Sequence, residues 1–252
     1  MSSNPFEVQN APIIEAVLDI DCDMPQALEA AGFEQTIKDA FQDRYPKFRR
    51  QLLQEQQVHL GGADRPPNFS VRYEVSSLQM LQSDEKQLIQ VRANGYSFNR
   101  LAPYTSLDAY TNEIERTWKK FVSLASPTQV RVVRLRYINR IRIPSALSSL
   151  DIREYVRTAP SLPAEMELES TGFMTQHTAI DRSGHMVQIV LAKEPMQDDA
   201  HSIILDITVA REESTEPENW TWITSQIQSL RALKNNIFRL SLTERCLELL
   251  NS

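Results

Sequence analysis

The segment Val130–Pro144, VRVVRLRYINRIRIP, constrains this chain more than any other. Apolar and polar residues alternate along it, which is the period of a half-buried strand and not of a helix. Arg134, Arg136, Arg140 and Arg142 share one face, with Ile138 among them, and Leu135, Tyr137, Asn139, Ile141 and Ile143 share the other. At ~3.3 Å per residue, Arg134 to Arg142 spans about 26 Å. Arg131 is out of step with this alternation, so a bulge is expected between Val132 and Val133.

The rest of the chain supplies companions for that strand. Ile13 to Ile20 alternates too, with Ile14, Ala16, Leu18 and Ile20 on one side and Glu15, Val17, Asp19 and then Asp21 on the other. Further strands are expected at Ser70–Val75, Gln87–Phe98, Thr171–Ile180, His185–Ala192 and Ser202–Arg211, with Asp181-Arg182-Ser183-Gly184 as a hairpin turn. Lys47 to His59 has no clear period. Helices are expected from Asp23-Pro25-Gln26 to near Tyr45, from Ser106 or Asp108 to Pro127, over Asp151–Thr158, and from Thr215-Glu216-Pro217 through the stripe Trp220, Ile223, Ile227, Leu230 and Ile237. Ser241 and Glu244 have capping-box spacing before a last short helix.

This order predicts an α+β fold: a mostly antiparallel sheet with packed amphipathic helices. Each half reads loosely as βαββ, which suggests an internal duplication into an N-terminal βαββα lobe, residues 1-127, and a C-terminal βαβββα lobe, residues 128-252, in one compact unit.

Composition removes several chemistries. None of the six glycines forms a GxGxxG fingerprint or a P-loop. Two cysteines and four histidines cannot build a four-cysteine zinc site or a disulfide framework, and no cofactor signature is present. There is no GxSxG and no apolar run long enough to span a membrane. Met1 to Asn10 lacks the basic and apolar regions of a signal peptide, so a cytoplasmic location with reduced cysteines is expected. The formal charge of −6 argues against a surface that clings everywhere to nucleic acid.

The candidate binding residues are Arg134, Arg136, Arg140 and Arg142, with Asn139, Glu15 and Asp19. Guanidinium groups suit carboxylates and phosphates, and a row of them could follow several phosphates of a nucleic acid. Against this stands a plainer reading: a solvated sheet face on which the arginines pair with Glu15, Asp19, Asp21 and Asp206 on neighbouring strands. Charge segregation fits either reading. Arg131 to Arg157 holds seven basic and two acidic residues, and Thr158 to Glu218 three basic and twelve acidic. Asn139 stands on the apolar side, where a hydrogen-bonding bridge is expected. Trp222, pointing away from the Trp220 stripe, is expected at an interface. Glu15, Asp19 and Asp21 could also hold a divalent metal and a phosphate.

Five segments resemble a sporadically distributed, uncharacterised bacterial protein family of about this length. They are Asn10-Ala11-Pro12-Ile13-Ile14-Glu15-Ala16, Tyr96 to Leu101 with Pro103-Tyr104, Leu205-Asp206-Ile207, Ile237-Phe238 with Leu242-Thr243-Glu244, and the central signature Leu135-Arg136-Tyr137-Ile138-Asn139-Arg140-Ile141. The resemblance implies no activity and no catalytic residues; its patchy occurrence suggests mobile or defence-type gene clusters.

Three functions are therefore carried forward. One is a non-enzymatic binding module that holds an anionic ligand or nucleic acid on the arginine face. Another is a partner-binding regulatory protein, with a homodimer open and no membrane involved. The last is a metal-dependent phosphate enzyme.

Overall fold

A computed structural model describes residues 8, 10–25, 33–59, 68–144, 151–162, 170–194 and 200–252. One nine-stranded sheet dominates it. In chain order its strands are β1 (Ile13–Asp23), β2 (Lys47–His59), β3 (Asn68–Leu81), β4 (Gln87–Arg92), β5 (Gly95–Leu101), β6 (Gln129–Pro144), β7 (Phe173–Ile180), β8 (Met186–Lys193) and β9 (Ala200–Thr215). In space the order is β2-β3-β4-β5-β1-β6-β9-β8-β7, and every neighbouring pair is antiparallel. The α+β class is therefore as the alternating pattern predicts. The first strand of the chain and the strand after Pro127 lie side by side at the centre. Each is flanked on its other side by the last strand of its own half.

The helices are α1 (Phe33–Phe41), α2 (Leu107–Ala125), α3 (Trp220–Ser241) and α4 (Glu244–Asn251), with a 3-10 turn at Ile152–Glu154. Local chemistry sets their ends. Ser106 caps α2 by accepting from the Ala109 N–H, and Ser126 closes it in the left-handed conformation. Asn219 caps α3 through the Trp222 N–H.

Amphipathicity decides which face the helices cover. Leu18, Ile20, Tyr96, Phe98, Leu135, Tyr137, Ile141, Leu205 and Ile207 point to the same side and are buried there with Trp118, Phe121, Ile227 and Leu230 of the helices. The Trp118 indole donates to the Pro217 carbonyl at 3.0 Å, tying α2 to the turn before α3. The Tyr96 hydroxyl meets Thr117 Oγ1 at 2.6 Å, so a buried phenol keeps a partner. Among the described residues no helix is long and apolar enough to cross a membrane.

Several details differ from the sequence expectation. Gln87–Phe98 is two strands, because the Ala93-Asn94 turn reverses the chain into Gly95. Gly95 has φ 146°, and a Cβ there would lie 2.2 Å from the Ile20 carbonyl, so only glycine lets β5 approach β1 this closely. Lys47–His59 is a strand paired along its whole length with β3. The N-terminal half therefore has five strands, more than its expected three. Asp151–Thr158 forms only a single 3-10 turn.

β9 runs on to Thr215, so α3 begins after Asn219 and not at Pro217. Thr243, not Ser241, caps α4. The buried stripe of α3 passes through Ile223, Ile227, Leu230, Lys234 and Phe238, leaving Ile237 half-buried. Trp222 is half-buried against the core, like Trp220. The helix start expected at Asp23-Pro25-Gln26 extends into residues 26–32, which lie outside the described residues.

Candidate functional site: the open face of the sheet

The side of the sheet away from the helices carries the polar halves of the strands. Its centre is β6. The bulge expected near Val132 is present, one residue earlier: the register with β1 shifts between Val130 and Val132, opposite Cys22 and Asp21, leaving Arg131 as the extra residue. From Val133 onward the alternation is unbroken, so Arg134, Arg136, Arg140 and Arg142 all face outward, as the sequence pattern predicts.

These arginines do not present bare charge. Arg134 reaches across to β1, at 3.1 Å from Asp21 and 3.6 Å from Asp19. Arg136 forks onto Asp206 of β9, with Nη2 to Oδ2 at 2.6 Å and Nε to Oδ1 at 3.0 Å. That bond raises the guanidinium pKa further above its usual value, the hydrogen bond outweighing desolvation. Arg140 engages Glu194 beyond β8 at 3.1 Å. Arg142 is engaged as well. The basic strand is thus neutralised from both sides, by β1 through Arg134 and by the acidic segment through Arg136 and Arg140.

The pairing extends beyond the arginines into a belt that crosses seven strands. From β1, Asp21 also accepts from Arg92 of β4 at 2.7 Å, and Asp19 accepts from Ser97 of β5 at 2.5 Å. Glu15 accepts from the Asn99 amide at 2.8 Å. Asn99 in turn accepts from Gln90, and Gln90 accepts from Gln79 and Ser77. Gln79 also donates to Gln51 of β2, and the Ser77 hydroxyl shares its one proton between Gln51 and Gln90. Register explains the continuity: Glu15 stands beside Leu101 and Ile138, Asp19 beside Ser97 and Arg134. Side chains that stand opposite in an antiparallel ladder are close enough to bond.

The twisted face is concave over β1 to β5. A hollow of about 680 Å³ lies there, walled by Glu15, Asp19, Gln79, Gln90, Arg92 and Arg136 among others. It is wide open and polar.

Of the seven candidate residues, six stand on this face. Asn139 does not. It points to the helix side, is buried, and donates to the carbonyls of Leu205 at 2.9 Å and Tyr137 at 3.2 Å. This is the bridging role expected of it, and it takes Asn139 out of the arginine site. Glu15, Asp19 and Asp21 line up, but their oxygens face an amide, a hydroxyl and two guanidinium groups. Among the described residues no cluster of three or more His, Cys, Asp or Glu could hold a metal ion.

Arg92, Ser97, Asn99, Gln90 and Gln79 belong to the site without having been singled out from sequence. The signal was present in Asn94-Gly95. Splitting Gln87–Phe98 at that turn puts Ser97 and Asn99 on the same side as Gln90 and Arg92. No protein-family model and no curated protein matches the chain, so the reading of this face rests on its geometry alone.

Proposed function

We propose that the protein is a non-enzymatic binding module whose partner is another protein, received on the open polar face of the sheet. The observation that carries this is the pairing of the arginines. A phosphate-tracking surface needs cations free to replace counterions, and Arg134, Arg136 and Arg140 are each committed to an acid. A grid of fixed donors and acceptors of both signs instead suits a partner whose polar surface is complementary in pattern, with register set by charge.

The two βαββ-like lobes belong to the same proposal. The central pairing of β1 with β6, each closed by the last strand of its own half, supports a duplication that places the paired face across both halves. A regulatory role in a mobile or defence-type gene cluster, in the cytoplasm, is consistent with this reading.

Photo-crosslinking in the native host tests it. A crosslinker at Ile138 or Gln79 is expected to trap one discrete protein, and the same group at Leu240, exposed on α3, is expected to trap none. Adducts to nucleic acid, or the same adducts from Leu240, would overturn the proposal.

A further inference from the structure

The other side of β6 holds a second, smaller cavity of about 280 Å³, between β6, the start of α2 and the middle of α3. Its walls include Ile13, Leu107, Tyr137, Arg231, Lys234 and Phe238. That size lies at the lower edge of the range for small-molecule sites, ~300–1,000 Å³.

Lys234 is the unusual wall. It sits in the buried stripe of α3 and is only 8% exposed. Among the described residues no carboxylate pairs with it. Its nitrogen instead stands 3.8 Å from the centre of the Tyr137 ring. A ring face offsets only part of the cost of burying an ammonium ion. The charged and titratable groups around it add nothing negative at close range. Arg231, one turn earlier, is a second cation; Tyr104 and Tyr137 bond hydroxyl to hydroxyl at 3.0 Å. Asp108 is held by Arg231 Nη1 at 2.7 and 2.9 Å. Burial first, and then Arg231, bring the lysine down to about 7.

The walls divide by chemistry. Ile13, Leu107 and Phe238 are apolar, whereas Lys234, Arg231, Asn235 and Ser106 offer donors. We propose that this cavity binds a small organic carboxylate, its carboxyl group taken by Lys234 with Arg231 nearby and its hydrocarbon body laid against Ile13, Leu107 and Phe238. The carboxylate supplies the counter-charge that the fold withholds, and binding therefore draws a proton onto Lys234 when the free amine is neutral. The site is separate from the open face and shares with it only strands β1 and β6, whose opposite sides the two use.

Calorimetry on the full chain tests this with benzoate and hexanoate as probes and with benzamide and hexanamide as neutral controls. Titrations are run one pH unit above the lysine midpoint, in two buffers of different ionisation enthalpy. Saturable carboxylate binding is expected, with uptake of close to one proton, at least tenfold weaker binding of the amides, and loss of binding in Lys234→Met. Because that variant could alter packing, the wild-type lysine is also followed by NMR of its side-chain carbon. Its midpoint should move up by at least about two pH units on adding benzoate, the shift that uptake of close to one proton requires. Absence of saturable carboxylate binding, amides binding as well as acids, binding without proton uptake, binding that survives Lys234→Met, or an unmoved lysine midpoint would each overturn the proposal.

Discussion

The two faces of β6 treat positive charge in opposite ways. Outward, Arg134, Arg136 and Arg140 are numerous, partly exposed and each matched by an acid one strand away or just beyond it. Inward, Lys234 is buried, has no carboxylate partner among the described residues and is matched by a ring face. The sequence draws the eye to the outward set, because four arginines in alternation are conspicuous. Abundance and strain part company here. Paired surface charges lower each other's free energy at little cost, whereas one unpaired buried cation costs stability at neutral pH and has reason to be kept. The comparison teaches that a candidate site is marked by charge left uncompensated, and that counting charges locates only their scaffold.

The largest expected effect breaks the inward half of this comparison. The folded-state lysine titrates near 7 and the unfolded one near 10.5. Between those values the unfolded chain binds more protons, so stability must rise with pH across that window. Below it both states are charged and the full penalty is felt; above it both are neutral and the penalty is gone. The whole swing is about 5 kcal/mol. Denaturant unfolding of wild type and Lys234→Met along a pH series checks it, because the difference between the curves cancels other titrating groups. The variant should be the more stable one near and below neutrality, and the gap should close on the alkaline side. Parallel curves would show that Lys234 reaches water or an acid after all.

A second effect tests the seating that lets the outward belt form. At Gly95 a Cβ would strike the Ile20 backbone oxygen, and φ is in the region that side chains avoid. Gly95→Ala should cost about 3 kcal/mol by forcing β5 away from β1. Gly172→Ala is the control. There an added Cβ meets its nearest neighbour at 3.6 Å, an ordinary contact, and the melting temperature should barely move.

How much of this could be read from the chain varies with the kind of signal. β6 was legible nearly residue by residue, because a strand buried on one side only shows strict alternation. Its antiparallel setting and the helix-covered side followed from the same pattern. Lys47–His59 was not legible: Arg49, Arg50 and its glutamines hide the period, and at its start the strand turns Gln51 to the polar belt on one side and Arg50 to Glu34 on the other. The split between β4 and β5 was written in Asn94-Gly95 and was obscured by the apolar residues on both sides of it. Lys234 could have been suspected, standing four residues after Leu230 and four before Phe238 on the buried stripe. What sequence could not supply is the identity of a partner across strands. Asp206 lies 70 positions from Arg136, and only register brings them together.

The outward pairs should weaken from the centre of the sheet to its rim. Asp206 is nearly buried while Arg136 is about half exposed. Asp206→Ala would leave a guanidinium that can still turn to water, so a loss of about 1–2 kcal/mol is expected, less than for a sealed pair. In a double-mutant cycle with Arg136→Ala, most of that loss should appear as coupling. A coupling energy near zero would mean that the two groups are solvated independently and the fork contributes nothing.

The smallest effect lies at the rim, where both members of the Arg140–Glu194 pair are substantially exposed, 43% and 34%. Water already screens such a pair, and two long side chains lose freedom to hold it. Arg140→Ala should change stability by no more than about 0.5 kcal/mol, and raising the salt concentration should erase even that. A low-salt and high-salt unfolding pair is enough to check it. If Arg140→Ala instead costs as much as Asp206→Ala and resists salt, Arg140 is part of the cooperative belt and the outward face is rigid out to β8. A rigid face would strengthen the case for a preformed docking surface, because fewer side chains would then have to be ordered when a partner arrives.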